Sequence, residues 1–166
     1  MRILIFIEGT ILMHKNAAGH TREEIVKQVV EEEESIRDYG SYIPVGGQSV
    51  QKIKAWKDQE AEIIYLTSRR KIEEIQAIQD VLTRNDFPKG DLVYRQGDEE
   101  YKNVAERIIP DILIEDDCES IGGVDEMTIT HVAPEIRQNI HSIPVKEFGG
   151  IGHLPDNIMS LQRYEN

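Results

Sequence analysis

The chain has 166 residues, of which 39% are apolar and 30% charged, a balance typical of a globular domain with one sizeable core rather than of a disordered chain. No apolar run approaches the roughly 20 residues that cross a bilayer, and we expect no signal peptide, because the short apolar N-terminus contains Glu8 and lacks a small-residue cleavage site. The formal net charge of −12 argues against nucleic acid and membranes as partners, since phosphates and anionic lipids would be repelled at long range.

Five segments are predicted to be strands, and helical patterns lie between several of them. The predicted strands are Arg2–Glu8, Glu62–Leu66, Asp91–Tyr94, Asp111–Ile114 and Met127–His131. Apolar residues that recur every three or four positions predict helices at Ser49–Asp58, Lys71–Arg84 and Tyr101–Ile108. Alternating strands and helices are typical of a parallel sheet with helices on both faces. We therefore predict an α/β fold, a Rossmann-like three-layer sandwich around a central parallel sheet.

The connection between the first two predicted strands is far longer than a simple crossover needs. Within it, Thr21 and Glu24 have the spacing of a capping box, which predicts a helix from there to about Arg37. Residues 11–47 are therefore predicted to form a small helical cap insertion after the first strand, within one domain that covers residues 1–166. Inserted segments at this point often lie over the carboxyl edge of the sheet, where open α/β sheets bind ligands.

Polar side chains mark the point where three of the predicted strands end, and one lysine lies on the helix before the fourth strand. These residues are Glu8, Gly9, Thr10, Thr67, Ser68, Asp116, Asp117 and Lys102. Because the carboxyl ends of neighbouring parallel strands meet at one edge of a sheet, we expect these side chains to lie together. Carboxylates suit Mg²⁺, whereas hydroxyls, backbone amides and an ammonium group suit phosphoryl oxygens. The pattern predicts a magnesium-bound phosphate site.

At this point the sequence resembles the haloacid dehalogenase-like (HAD) superfamily of phosphatases over nearly its whole length. Four motifs in order carry the resemblance, and they are Phe6-Ile7-Glu8-Gly9-Thr10 in the place of D-x-D-G-T, "IIYLTSRR", the lysine of "EEYKNVAERIIPD", and "DILIEDD". The stretches "LTSRR" and "IEDDCES" look most like the branch that acts on phosphomonoesters. The resemblance thus implies a small phosphorylated molecule as the ligand.

The resemblance also implies a role for each matched residue near the metal. Glu8 would stand at the position of the general acid and base, with its backbone carbonyl facing Mg²⁺. Asp116 would be the main magnesium ligand and Asp117 the second. Thr10 would steady the loop after the first strand. These residues together would form the metal side of the site.

The phosphate side of the site would be formed by three further residues. Thr67 would bind the phosphoryl group together with the backbone amide of Ser68. Lys102 would stabilise the same group through its ammonium charge. In this arrangement Lys102 belongs to both the catalytic and the phosphate-binding residues.

Phe6 stands where the resemblance places the aspartate nucleophile. Phenylalanine has no lone pair with which to attack phosphorus, and Glu8 lies two residues further along, so that its side chain should point elsewhere. The missing aspartate would also be a metal ligand, so Mg²⁺ should bind more weakly. We therefore expect a phosphatase-type hydrolase with weak or no activity. The alternative is a non-catalytic module that binds a phosphorylated ligand or a protein, and the sequence does not indicate an oligomeric state.

Several other residues have two interpretations. Arg69 and Arg70 could contact a ligand or pair with the glutamates of the following helix. No histidine pair has the spacing of a zinc site, although His14 and His20 fall in the predicted insertion and could reach a substrate. Cys118, the one cysteine, should be structural, with a thiol pKa raised by the neighbouring carboxylates, and it is compatible with a reducing cytoplasm as the location.

Overall fold

The computed structural model describes residues 1–165. The strands are β1 (Arg2–Phe6), β2 (Leu12–Met13), β3 (Ile43–Pro44), β4 (Glu62–Leu66), β5 (Asp91–Val93), β6 (Ile112–Asp116) and β7 (His141–Val145). The helices are α1 (Arg22–Val30), α2 (Ser49–Asp58), α3 (Ile72–Arg84), α4 (Tyr101–Ile108), α5 (Thr128–His131), α6 (Pro134–Arg137) and α7 (Ile158–Leu161). Within residues 1–165, no helix has both the length and the apolar character needed to span a membrane.

Five parallel strands form the central sheet in the order β5-β4-β1-β6-β7. β1 lies in the middle, where Ile3 pairs with Ile63 of β4 on one side and with Ile112 of β6 on the other. A central strand is covered on both faces, and this explains why Ile3, Leu4 and Ile5 of β1 are apolar in succession and fully buried. The predicted α/β fold with a central parallel sheet is confirmed.

Each face of the sheet has its own hydrophobic core. Because successive side chains of a strand point to opposite faces, Ile3 and Ile5 of β1 belong to one core and Leu4 to the other. The first core is covered by α2 and α3, and the fully buried Trp56 of α2 donates a hydrogen bond of 2.8 Å to the carbonyl of Pro155. The second core is covered by α4, α5 and α6. These layers give the predicted three-layer sandwich.

The fifth strand of the sheet is β7, and the predicted strand Met127–His131 is wrong. Most of that segment is α5, whose first two backbone amides donate to the carboxylate of Glu115 over 2.7 and 3.0 Å. The alternating Thr-Ile-Thr pattern suits a strand, but this buried acceptor favours a helix start. β7 was missed because its Pro144 argues against a central strand, whereas proline is tolerated at an edge position such as that of β7.

The predicted capping box before α1 is confirmed, but the helix is shorter than predicted. The amide of Glu24 donates to the Thr21 hydroxyl over 3.3 Å, and the amide of Thr21 donates to the Glu24 carboxylate over 2.8 Å. α1 ends at Val30 instead of continuing to about Arg37. Four successive glutamates follow Val30, and like charges three or four positions apart destabilise a helix.

Residues 11–47 leave the sheet after β1 and return before α2. A short antiparallel pairing of β2 with β3 closes the base of this segment, and the amide of Val45 donates to the carbonyl of Ile11 over 2.8 Å. α1 lies between these two strands, and the ion pair between Arg22 and Glu119 connects it to the loop after β6. The 11–47 segment thus contacts the carboxyl edge of the sheet, and its role as a separate cap stays a prediction.

Candidate functional site

A cavity of about 290 Å³ lies at the carboxyl edge of the sheet. The ends of β1, β4 and β6 contribute to its wall, and the 11–47 segment covers it with apolar side chains such as Leu12, Val29 and Ile36. Ligands of open α/β sheets bind at this edge, where the strand order reverses on either side of the first strand. The cavity therefore lies where the sequence predicts a site.

Glu8 holds together the two residues that are predicted to bind phosphate. The hydroxyl of Thr67 donates to Oε1 of Glu8, and the backbone amide of Ser68 donates to Oε2 over 2.9 Å. Nε of Arg69 lies 3.7 Å from Oε1. The Glu8 side chain is 14% exposed, so these contacts replace most of its water. The structure thus brings the predicted acid and the predicted phosphate donors together, and it joins them to each other.

Phe6, the last residue of β1, lines the cavity and belongs to an aromatic cluster. Its ring packs edge to face against Tyr101, with the ring centroids 4.9 Å apart. The guanidinium of Arg95 lies over the ring of Tyr101, 3.9 Å from its centroid. The same guanidinium donates a hydrogen bond of 3.3 Å to the carbonyl of Ser68. Burial raises the pKa of the Tyr101 phenol, and the Arg95 charge opposes that shift. An apolar ring therefore stands at the position where the sequence resemblance predicts the nucleophile.

Sequence reasoning missed Arg95 and Tyr101. The signal that could have found Tyr101 is its position at the start of an apolar helical pattern, beside the strand ends that carry the site. Arg95 follows the short edge strand β5, which has no motif attached to it.

Asp116 is buried beside a second acid, Glu147, that sequence reasoning also missed. Oδ2 of Asp116 accepts from the Thr10 hydroxyl over 2.9 Å, and Oδ1 accepts from the amide of Cys118 over 3.0 Å. Burial, and then the nearby charge of Glu147, raises the pKa of Asp116 to about 7, although the Thr10 hydrogen bond opposes the shift. Glu147 follows β7, and it was not identified from the sequence because that strand was not predicted.

Glu147 is tied to the loop that follows β6. Its two carboxylate oxygens accept from the amide and the hydroxyl of Ser120, each over 2.7 Å. Burial raises the pKa of Glu147, and these hydrogen bonds lower it in part. Glu147 and Asp116 both line the cavity, and atoms of both side chains lie close to the position that a side chain on Gly9 would take. The loop after β1 is therefore packed against both of these acidic side chains.

Asp117 and Lys102 do not join the predicted cluster. One oxygen of Asp117 accepts from the amide of Glu147 over 3.1 Å, and the other lies 3.1 Å from Nζ of Lys146. Nζ of Lys102 lies 2.8 Å from the carboxylate of Glu100, and its side chain is 37% exposed. Neither Asp117 nor Lys102 is among the described residues that line the cavity. Their predicted roles in metal and phosphate binding stay predictions that this arrangement does not support.

The predicted metal ligands do not form a common set. Glu8 is engaged by Thr67 and Ser68, both oxygens of Asp116 accept hydrogen bonds, and Asp117 pairs with Lys146. In the part of the chain that the structure describes, no group of three or more His, Cys, Asp or Glu side chains is arranged to hold a metal ion. Mg²⁺ in proteins is usually held by one or two carboxylates together with waters and phosphate oxygens. The predicted ligands thus have separate hydrogen-bond partners, and the magnesium site stays a prediction.

The two arginines after β4 have contacts other than the predicted helix glutamates. Arg69 lies beside Glu8, with its guanidinium 4.2 Å from the ring centroid of Tyr39. Arg70 donates to the carbonyls of Gly97 and Glu99 over 3.0 and 2.9 Å. The salt-bridge interpretation of both arginines is therefore wrong, because the loop after β4 turns them toward β5 and the 11–47 segment.

Three other residues considered in the sequence, two histidines and the cysteine, have distinct surroundings. His14 is buried and lines the cavity, and its Nε2 forms a hydrogen bond of 2.8 Å with Gln28. His20 is exposed and lies 3.2 Å from Glu24. Burial and then the charges of nearby carboxylates raise the thiol pKa of Cys118, as predicted. Of these three, His14 and Cys118 line the cavity.

The fold was compared with those of known proteins. No protein-family model matches this chain, and no curated protein matches it. A class C acid phosphatase from Bacillus anthracis with tungstate bound is similar in structure, with a TM-score of 0.53 and 13% sequence identity over 90% of this chain and 68% of that chain. The fold is HAD-like. A D,D-heptose 1,7-bisphosphate phosphatase from Burkholderia thailandensis has a TM-score of 0.45 and 10% identity over 86% of this chain and 90% of that chain.

The HAD-like fold explains why residues far apart in sequence share one edge. β1 lies between β4 and β6, so the segments that follow these three strands emerge side by side. Glu8 and Thr67 follow β1 and β4, and Asp116 is the last residue of β6. At 13% identity the likeness concerns the fold, and the chemistry of the site depends on the side chains present in this chain.

Proposed function

We propose that this chain is a HAD-like protein of the phosphatase type that hydrolyses phosphomonoesters weakly or not at all and uses its cavity to bind a small ligand. The observation that supports this proposal is Phe6, which stands at the end of the central strand and lines the cavity. A carboxylate at that position could attack phosphorus, whereas an aromatic ring cannot.

The magnitude of the loss explains why activity would be weak. Removal of the nucleophile from a well-studied protease lowers turnover by about 10⁶. Hydrolysis of phosphomonoesters is very slow without a catalyst, and enzymes accelerate it by up to about 10²¹. A protein that retains only the positioning of its substrate would therefore turn over too slowly to serve as a phosphatase.

A small phosphorylated molecule is the ligand class that we propose. The loop after β4 retains a hydroxyl, a backbone amide and a guanidinium in one place, from Thr67, Ser68 and Arg69. These groups suit phosphoryl oxygens. A cavity of about 290 Å³ is at the small end of the range for ligand sites, which suits a compact ligand.

The test is hydrolysis of an aryl phosphate by the natural chain and by its Phe6→Asp variant, each with and without Mg²⁺. Phe6→Leu is the matched control, because it removes the aromatic ring and supplies no carboxylate. We expect turnover in the Phe6→Asp variant alone. Turnover by the natural chain and by Phe6→Leu as fast as that of Phe6→Asp would contradict the proposal, because a different residue would then be the nucleophile.

A further inference from the structure

We propose that the Glu8 carboxylate occupies the oxyanion subsite of this chain, so that a phosphate or phosphoryl group binds there only when Glu8 has left. This inference rests on the phosphate site of the proposed function and does not depend on the absence of turnover. It assigns to Glu8 a role other than that of a proton donor or a metal ligand.

The contacts of Glu8 are those that an oxyanion would make. Oε1 accepts from the Thr67 hydroxyl, and Oε2 accepts from the Ser68 amide over 2.9 Å. The amide of Arg69 donates to the Thr67 oxygen over 3.2 Å, so that oxygen acts as an acceptor there and its proton is free to point at Glu8. Charge-assisted hydrogen bonds of this kind are about twice as strong as those between neutral groups. The donors are thus already engaged.

The path of the chain explains how Glu8 reaches these donors. β1 and β4 are neighbours, and Phe6 pairs with Leu66, so that Glu8 and Thr67 follow two adjacent strand ends. The loop after β1 turns back at once, and the amide of Gly9 donates to the carbonyl of Leu12 over 2.9 Å. A glutamate has one methylene group more than the aspartate of the D-x-D-G-T pattern, and this length lets its carboxylate lie on the adjacent loop.

The electrostatics of the cavity make displacement of Glu8 by an anion unfavourable. Among the described residues that line the cavity, Arg69 is the only lysine or arginine, and its Nε already lies 3.7 Å from Glu8. Four other carboxyl side chains line the same cavity, and they are Glu115, Asp116, Glu126 and Glu147. An added anion would meet an excess of acidic side chains and no free lysine or arginine among the described residues that line the cavity, and those carboxyl groups that are ionised would repel it.

The first experiment is a calorimetric titration of the natural chain and of its Glu8→Ala variant with inorganic phosphate. Glu126→Ala is the matched control, because it removes one carboxylate from the same cavity and leaves Thr67 and Ser68 bound to Glu8. We expect phosphate to bind Glu8→Ala at least about tenfold more tightly than it binds the natural chain or Glu126→Ala, which corresponds to about 1.4 kcal/mol.

Two further variants connect the gained affinity to the subsite. Thr67→Val in the Glu8→Ala background removes the hydroxyl donor while it keeps the shape of the side chain, and it should abolish the gain. Glu8→Gln keeps the length of the side chain without its charge. It should give some gain, because a neutral amide is held less strongly by the Ser68 amide, but a smaller gain than Glu8→Ala, because its side chain still occupies the subsite. If Glu8→Ala does not fold, the comparison of Glu8→Gln with Glu126→Ala decides.

The proposal is overturned if the folded Glu8 variants bind phosphate no more tightly than the natural chain. It is also overturned if Glu126→Ala gains as much affinity as Glu8→Ala, since the effect would then reflect net charge alone. Persistence of the gain in the Thr67→Val double variant would place the phosphate elsewhere. None of these outcomes depends on turnover, so they are distinguishable from the result of the Phe6→Asp assay.

Discussion

A Cβ atom built on Gly9 would lie 2.9 Å from Oδ2 of Asp116. The same atom would lie 3.3 Å from Cγ of Glu147, and Gly9 has a φ of +87°, a conformation that side chains disfavour. Oδ2 of Asp116 is the atom that accepts from the Thr10 hydroxyl. Any side chain at position 9 must therefore displace a buried carboxyl group from its hydrogen bond.

We predict that Gly9→Ala lowers the free energy of unfolding by about 2 to 4 kcal/mol, through backbone strain together with the displaced Asp116 carboxyl. Gly19→Ala is the control, because Gly19 also has a positive φ of +78° but nothing lies within 4 Å of its added Cβ. That substitution should cost only about 1 to 2 kcal/mol. Urea unfolding of both variants measures the difference, and equal losses would show that the contact with Asp116 is easily relieved.

Glu115→Ala should destabilise the protein by about 2 to 4 kcal/mol, because it leaves the amides of Thr128 and Ile129 without their buried acceptor. Glu119→Ala, four positions along, removes an exposed carboxylate paired with Arg22 and should cost at most about 1 kcal/mol. Chemical unfolding of the two variants provides the comparison. If Glu115→Ala lowered the free energy of unfolding no more than Glu119→Ala does, α5 would form without this cap.

The stability of the chain should depend on the protonation of Asp116. Its pKa is raised from 3.8 to about 7, so the folded state binds a proton more readily than the unfolded state. The stabilisation by this group is complete below its ordinary pKa and is lost as pH rises through about 7. Between pH 8 and pH 5 it should add about 2 to 3 kcal/mol to the free energy of unfolding.

Asp116→Asn should remove this contribution, because asparagine does not ionise. Urea unfolding at pH 5 and at pH 8 measures it as the difference between the two proteins, in which the effect of every other carboxyl group largely cancels. A pH profile that is unchanged in Asp116→Asn would show that Asp116 remains ionised across this range in the folded chain.

The Cys118 thiol should react slowly with a disulfide reagent such as DTNB at pH 8. The thiolate is the reactive form, and burial together with the charges of Asp116, Glu115 and Glu147 raises the thiol pKa. The same reaction in guanidinium chloride is the control, because unfolding removes the burial and separates the charges. We expect the unfolded chain to react at least about tenfold faster, in line with its larger fraction of thiolate. Equal rates would mean that the thiol is accessible and ionisable in the fold.

The architecture could be predicted from sequence because its strands are short apolar runs separated by helical patterns. β4, α2 and α4 have the predicted bounds. The last strand could not be predicted in this way, because local propensity at Met127–His131 conflicts with a tertiary contact to Glu115. The alternation of apolar and polar residues shows that this segment could form a strand. The buried carboxylate of Glu115 accepts from its backbone amides and stabilises a helix there instead.

The location of the site could also be predicted, but the direction of its side chains could not. Strand ends placed Glu8, Thr67 and Asp116 at one edge, since neighbouring parallel strands share a polarity. Whether Glu8 points at the cavity or at the adjacent loop depends on side-chain torsions that sequence spacing does not specify. The direction of the Lys102 side chain could not be predicted from sequence spacing either. Its ammonium group pairs with Glu100, two residues away, instead of pointing at the sheet edge.

The central position of β1 also has a consequence for the order in which the protein is made. β1 precedes both of its partners, β4 and β6, along the chain, so its second edge stays unpaired until β6 has also been synthesised. Pairings between such distant segments slow folding, and an unpaired apolar strand is a site for aggregation. The nascent chain thus has a long interval in which Ile3, Leu4 and Ile5 are exposed, and we expect its yield in cells to depend on chaperones that bind short apolar segments.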